Sequence, residues 1–239
     1  MATTTVIARK PSPVLAWLFS SLGKKTVVAV TGIVLVLFIF GHLAGNLSFF
    51  FGPDWINSYA VHLRDLGLLL WFARIGLLVT VSLHIFFTMK LWQENLAARP
   101  DKYARQRPIR ASVFARTMRL SGLVVLAFVI FHLGHFTLLI VHPEFRDWHD
   151  AAGRHDVFRM IVAGFSNPLV SAFYILSLGL LAFHLSHGIA SLFQTLGLSN
   201  RRLQPVFTVA GRVIAWALFA GFAAIPASVL LGFGHSALQ

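Results

Sequence analysis

Five stretches of this 239-residue chain, each more than 20 residues long, carry almost no charge, and the short segments between them hold most of the charged side chains. That pattern constrains the fold more than any motif does. A hydrocarbon core of about 30 Å is crossed by roughly 20 residues rising ~1.5 Å each in a helix. In lipid the backbone must satisfy its own hydrogen bonds within the segment, so each stretch reads as a helix. The expected fold is all-α: an integral membrane bundle of five transmembrane helices over residues 26–51, 66–92, 120–141, 168–195 and 205–233. No internal repeat is obvious and no low-complexity linker interrupts the chain, so residues 1–239 read as one membrane domain. The composition agrees, with 57% hydrophobic residues and a mean hydropathy of +0.75.

The net charge of +12 would point to nucleic acid in a soluble protein. Here the basic residues sort by loop, so nucleic acid is not an expected partner and membrane lipid is. Arg9, Lys10, Lys24 and Lys25 precede the first span. The second connection holds Lys90, Arg99, Lys102, Arg105, Arg107, Arg110, Arg116 and Arg119 against Glu94 and Asp101, and the fourth holds Arg201 and Arg202. The first and third connections mix Arg64, Arg146, Arg154 and Arg159 with Asp54, Asp65, Glu144, Asp147, Asp150 and Asp156. The positive-inside rule then places the N-terminus in the cytoplasm and the C-terminus outside, in a multi-pass protein of the inner (cytoplasmic) membrane. The opening 25 residues lack a small-residue cleavage site before Lys24 and read as a cytoplasmic segment. Within it, Pro13–Ser21 is an interfacial helix with Trp17 at headgroup level.

The chain has no cysteine, which removes disulfides, thiolate zinc sites, iron–sulfur clusters and covalent haem attachment. It has 11 histidines, and several lie deep in the apolar stretches: His42 in the first, His84 in the second, His132 and His135 in the third, His184 and His187 in the fourth. Ionisable groups are costly in hydrocarbon and mark function by default. Helix direction gives each a depth. His42 and His132 fall in the outer halves of outward-running spans; His84 and His184 fall in the inner halves of inward-running ones. The four therefore form two pairs, and two opposed imidazoles at one depth are what a six-coordinate haem requires. The expectation is a bundle binding two b-type haems, with His42, His84, His132 and His184 as ligands to haem iron. His135 and His187 stand three residues beyond a proposed ligand, on roughly the same helix face. Either supports its neighbour from outside the coordination sphere or replaces it. Glycines near the ligands, such as Gly41, Gly45, Gly122, Gly134 and Gly188, suit both a porphyrin and simple helix packing.

These elements taken in order, Gly41-His42-Leu43, Leu83-His84, Phe131-His132-Leu133 and Phe183-His184-Leu185-Ser186-His187-Gly188, resemble the five-helix, dihaem cytochrome b subunit of succinate:quinone oxidoreductases. Asn57-Ser58-Tyr59 with Leu63-Arg64-Asp65-Leu66 resembles that family's first loop. The resemblance covers nearly the whole chain. It implies one axial histidine in each of the first four helices, with His42/His132 on the distal haem and His84/His184 on the proximal one. It implies a flavoprotein that oxidises succinate and an iron–sulfur subunit that docks on the cytoplasmic face. The chain itself would be the electron-transfer and quinone-reactive subunit, without succinate chemistry. Some fumarate-reducing members carry a glutamate just before the ligand of the fourth helix. Here Leu181, Ala182 and Phe183 stand there, which leans toward succinate oxidation.

Quinone, menaquinone by the resemblance, needs protonable groups near a haem at a membrane face. The candidates on the outer side are His62, Arg64, Asp65, His142 and His149; His62 and Asp65, three residues apart, share a face if the stretch is helical, while His142 and His149 read as surface residues. Electrons would pass singly from the iron–sulfur subunit through the two haems to quinone. Two other readings remain: a dihaem anchor of a hydrogenase or formate dehydrogenase, and a haem-free transporter with histidine relays.

Overall fold

The computed structural model describes residues 12–98 and 113–239. Helix α1 spans Pro13–Leu18, α2 Ser21–Asn46, α3 Pro53–Asp65, α4 Leu68–Ala97, α5 Val113–His132, α6 Val157–Ser166, α7 Pro168–Thr195 and α8 Leu203–Leu230. Among the described residues there is no strand, only an isolated bridge between His149 and His155. Five helical segments are long and apolar enough to cross a membrane: Ser21–Phe51, Leu68–Ala97, Thr117–Thr137, Pro168–Thr195 and Leu203–Leu230. Large apolar side chains such as Leu69, Phe72, Leu78, Leu123 and Leu176 stand exposed along them. In water such surface would be untenable; against acyl chains it is the solvated face.

The spans fall where the apolar blocks predict, and their ends differ for local reasons. The first begins at Ser21 rather than Thr26, because the Ser20 hydroxyl accepts from Gly23 N at 3.0 Å and caps the helix there. This draws Lys24 into the bundle, where it is 4% exposed and pairs with Glu94 of α4. Within the segment Pro13–Ser21 read as a short helix, α1 forms over Pro13–Leu18, capped by Ser12. A 3-10 turn, Leu47–Phe51, continues α2. Gly67 at φ +52° supplies the corner from α3 into α4, so the second span starts at Leu68. The third stops short of Val141. α5 loosens into a π turn over Leu133–Thr137, and Leu139 at φ +51° folds the chain back so that Ile140 N donates to Gly134 O at 2.8 Å. Pro168 after the capping residue Asn167 begins the fourth span at the residue the sequence indicates. The topology residues Arg9, Lys10, Arg99, Asp101, Lys102, Arg105, Arg107 and Arg110 lie outside the described residues.

Two antiparallel hairpins, α2 with α4 and α5 with α7, form the body of the bundle, and α8 packs along α7. At one end lie Lys24, Lys25, Lys90, Arg119, Arg201 and Arg202; we call it the basic end. The other end is closed by α3, α6 and the segment between α5 and α6, a capped end with its own apolar core of Phe49, Ile56, Phe158, Val162 and Phe165. Asn57 of α3 is fully buried there. Its Nδ2 donates to Asp150 at 3.1 Å and Asp156 at 3.2 Å, and its Oδ1 accepts from Phe158 N at 3.0 Å. Arg154 donates to Asp150 at 2.7 Å, to Ser58 at 2.7 Å and to Asp54 at 2.6 Å. Loop charges scattered over nearly a hundred residues thus become one clasp. Burial works against the charged form of Asp150, but the Arg154 backbone N–H, Asn57 and the Arg154 guanidinium outweigh it and hold its carboxyl below the usual range.

Candidate cofactor-binding cavity

Between the two hairpins runs a cavity of about 2590 Å³, lined mainly by apolar side chains. A pocket for a drug-sized ligand measures about 300–1,000 Å³, so this space suits something larger or more than one group. His42 of α2, His84 of α4, His132 of α5 and His184 of α7 all line it. Each comes from a different helix because each hairpin contributes one histidine to each level.

At the level nearer the capped end, the rings of His42 and His132 stand 5.8 Å apart, centroid to centroid, with planes at 80°. Metal–imidazole bonds of about 2 Å on either side of one ion put ring centroids on the order of 6 Å apart. Rings hold this pair in place. Phe38 stacks on His42 at 5.3 Å, Phe222 lies 5.8 Å from it, and Phe128 lies 5.9 Å from His132. The His132 Nδ1 is 3.4 Å from the Tyr174 hydroxyl.

At the other level the rings rest on glycine and hydroxyl. A Cβ added to Gly32 would meet the Cε1 of His84 at 3.6 Å, and one added to Gly122 would meet the Cε1 of His184 at 3.5 Å. The Thr31 hydroxyl lies 3.0 Å from His84 Nδ1, and the Ser121 hydroxyl 3.5 Å from His184 Nδ1. His84 and His184 face the same cavity within electrostatic reach of each other.

The remaining sequence candidates separate clearly. His135 is fully buried but does not line the cavity. Its Nδ1 is 3.0 Å from the Tyr174 hydroxyl, its ring stacks on Phe136 at 3.9 Å, and its Nε2 sits against Gly164 without a hydrogen-bond partner. His187 does line the cavity, one turn nearer the basic end than His184. His62 lies on α3 outside the main cavity, beside a separate surface pocket of about 530 Å³, and its Nδ1 donates to the Ser58 carbonyl at 2.8 Å. Asp65, exposed at the end of the same helix, lines neither space. Tyr59 and Arg64 of α3 line the cavity, Tyr59 bordering the surface pocket as well, and His155 also lines the cavity. Burial and then the charge of Arg64 hold His155 below the usual histidine range, and its Nδ1 is buried without a partner.

Thr31, Ser121, Tyr174 and His155 were not singled out as site residues by the sequence, whereas Arg64 was among its outer-side protonable groups. Tyr174 had a signal, as the lone tyrosine in an apolar span. So did Thr31 and Ser121, each a hydroxyl immediately before a glycine.

Among the described residues no three His, Cys, Asp or Glu side chains come together as a metal-ligating group. A pair of imidazoles cannot fill a metal's coordination sphere. A planar macrocycle that brings four nitrogens of its own needs only such a pair, and the apolar lining with glycines beside the histidines suits one. No family model, curated protein or solved structure matches this chain.

Proposed function

We propose that the chain is the membrane-anchor cytochrome b subunit of a succinate:quinone oxidoreductase and binds two b-type haems. His42 and His132 would hold one, and His84 and His184 the other. The observation that carries this reading is the single cavity lined by four intramembrane histidines at two levels, two from each hairpin. Bound haem supplies reversible one-electron chemistry, and the protein contributes ligation, burial and the hydrogen bonds that set the ligands' basicity. Phe38, Phe128 and Phe222 exclude water from the capped-end level. His135, held by Tyr174 outside the cavity, acts as a supporting residue rather than a ligand; His187 stays within reach of the basic-end level.

With no cysteine to ligate an iron–sulfur cluster, the chain would depend on a flavoprotein subunit and an iron–sulfur subunit for succinate chemistry. The basic end, read as cytoplasmic, is where they would dock. Menaquinone would react toward the capped end, where Tyr59, Arg64 and His155 bring polar groups to the cavity wall and His62 and Asp65 lie on α3 outside the main cavity. Purification of the intact complex tests this directly. Flavin, non-haem iron and b-type haem should co-purify, and succinate should reduce a menaquinone analogue. A two-haem protein that brings hydrogenase or formate dehydrogenase subunits instead would overturn the succinate assignment while keeping the haems.

A further inference from the structure

The two basic-end histidines sit in the same kind of seat, and the seat recurs in the sequence. An offset of 90 residues relates Thr31 to Ser121, Gly32 to Gly122 and His42 to His132. Helices α2 and α5 therefore present the same three features at the same spacing: a hydroxyl, a glycine, and a histidine ten residues beyond the glycine. In each hairpin the hydroxyl and glycine receive the ring of the facing helix, His84 in the first and His184 in the second.

The hydroxyls' other contacts decide which way these hydrogen bonds run. A hydroxyl has one proton and two lone pairs. The Thr31 hydroxyl sits 2.7 Å from the Val27 carbonyl and 3.1 Å from the Val28 carbonyl, which can only accept, so its proton is spent on its own helix. The Ser121 hydroxyl likewise donates to the Met118 carbonyl at 3.1 Å. Toward the imidazoles both oxygens can then only accept, and the ring must donate from Nδ1. That fixes the neutral tautomer with its proton on Nδ1 and its lone pair on Nε2. Thr31 and Ser121 are 7% and 1% exposed, so water does not compete for these contacts. Serine and threonine bond back to their own helix commonly in membranes, and that alone would mean little. Two such hydroxyls, each next to a glycine that admits a histidine ring, are a different matter.

We infer that Thr31 and Ser121 are positioning residues for the basic-end haem: each accepts the Nδ1 proton of the facing histidine within its own hairpin and so presents Nε2 to the iron. The inference rests on the proposed haem reading and goes beyond it. It makes each hairpin orient its own ligand before the two hairpins and the haem meet. An Nδ1–H donated to an acceptor raises the basicity of the ligating nitrogen, which favours ferric over ferrous iron.

The test uses the full chain purified from membranes with its haems, followed by redox titration and low-temperature electron paramagnetic resonance. Thr31→Val keeps the shape and removes the acceptor. It should raise the midpoint potential of one haem and shift its low-spin signal, and that haem should be the one lost in His84→Ala. Ser121→Ala, on the other hairpin, should move the same haem in the same direction. Thr31→Ser should restore the wild-type potential, which a merely structural role for the side chain would not require. If both hydroxyl variants leave the potentials and signals unchanged, or move the haem lost in His42→Ala, the inference is overturned while the haem reading stands. A wild-type chain without b-type bands would overturn both.

Discussion

The two histidine levels solve the same problem by different means. At the basic-end level a hydroxyl and a glycine on the neighbouring helix receive each ring, and hydrogen-bond direction sets its orientation. At the capped-end level His42 has phenylalanine rings against it, and His132 shares the Tyr174 hydroxyl with His135. The difference follows from what surrounds them. The capped end has a packed core of α3, α6 and the last turns of the spans, so aromatic contacts can fix a ring from several sides. Nearer the basic end lipid-facing helices leave fewer rings to pack, and directional bonds within a hairpin take over. A buried imidazole needs its orientation specified, and either packing or a directed hydrogen bond suffices.

The sharpest way to break this comparison is to remove one histidine at a time. His84→Ala and His42→Ala should each leave one haem per chain, with complementary optical bands and potentials. Loss of both haems in either variant would mean that the levels are not independent. The next largest effect should come from the cap. Asn57→Ala removes one donor from each of Asp150 and Asp156, which keep their backbone and Arg154 partners, and leaves the Phe158 N–H without its acceptor; hydrogen bonds to charged groups contribute about 1.5–3 kcal/mol each. Its thermal unfolding midpoint in detergent should fall, and the signal of the capped-end haem should broaden while the basic-end haem keeps its wild-type spectrum. Tyr174→Phe removes one hydroxyl shared by two rings, at about 1 kcal/mol. It should perturb only the capped-end haem in an absorbance and resonance comparison with wild type. The smallest effect should be on pH dependence. The Asp150 carboxylate is held below the usual range, so its contribution is fully present above the ordinary aspartate value and is lost as pH falls through the lowered one. Unfolding followed at decreasing pH should show the cap loosening only below about pH 4, and Asp150→Asn should flatten that dependence.

Much of the fold was legible because membrane helices announce themselves by length. The fourth span was readable at its first residue from Asn167-Pro168, a cap followed by a residue suited to the first helical position. Ends set by contacts were not. The Ser20 cap and the burial of Lys24 against Glu94 extend the first span by one turn and more, and the π turn at Leu133–Thr137 shortens the third. Helix α6 was invisible among loop charges. Its ten residues are too few to span a membrane, and its buried residues Phe158, Ile161 and Phe165 pack inside the cap.

The histidines stood out for a simple reason: an imidazole in a run of leucine and phenylalanine is expensive. Helix direction then gave their levels. Their supports lay far away in sequence, Thr31 53 residues from His84 and Ser121 63 residues from His184, and only the packing of each hairpin joins them. Of the sequence candidates for quinone, His62 and Asp65 lie on α3 outside the main cavity. Once α3 is formed, its turn carries Tyr59 and Arg64 toward the cavity instead.

Haem stoichiometry tests the central claim most directly. A reduced-minus-oxidised difference spectrum of the purified full chain, with haem quantified against protein, should show b-type bands at two haems per chain. A colourless preparation from haem-replete cells, with the protein intact and no b-type bands, would contradict it.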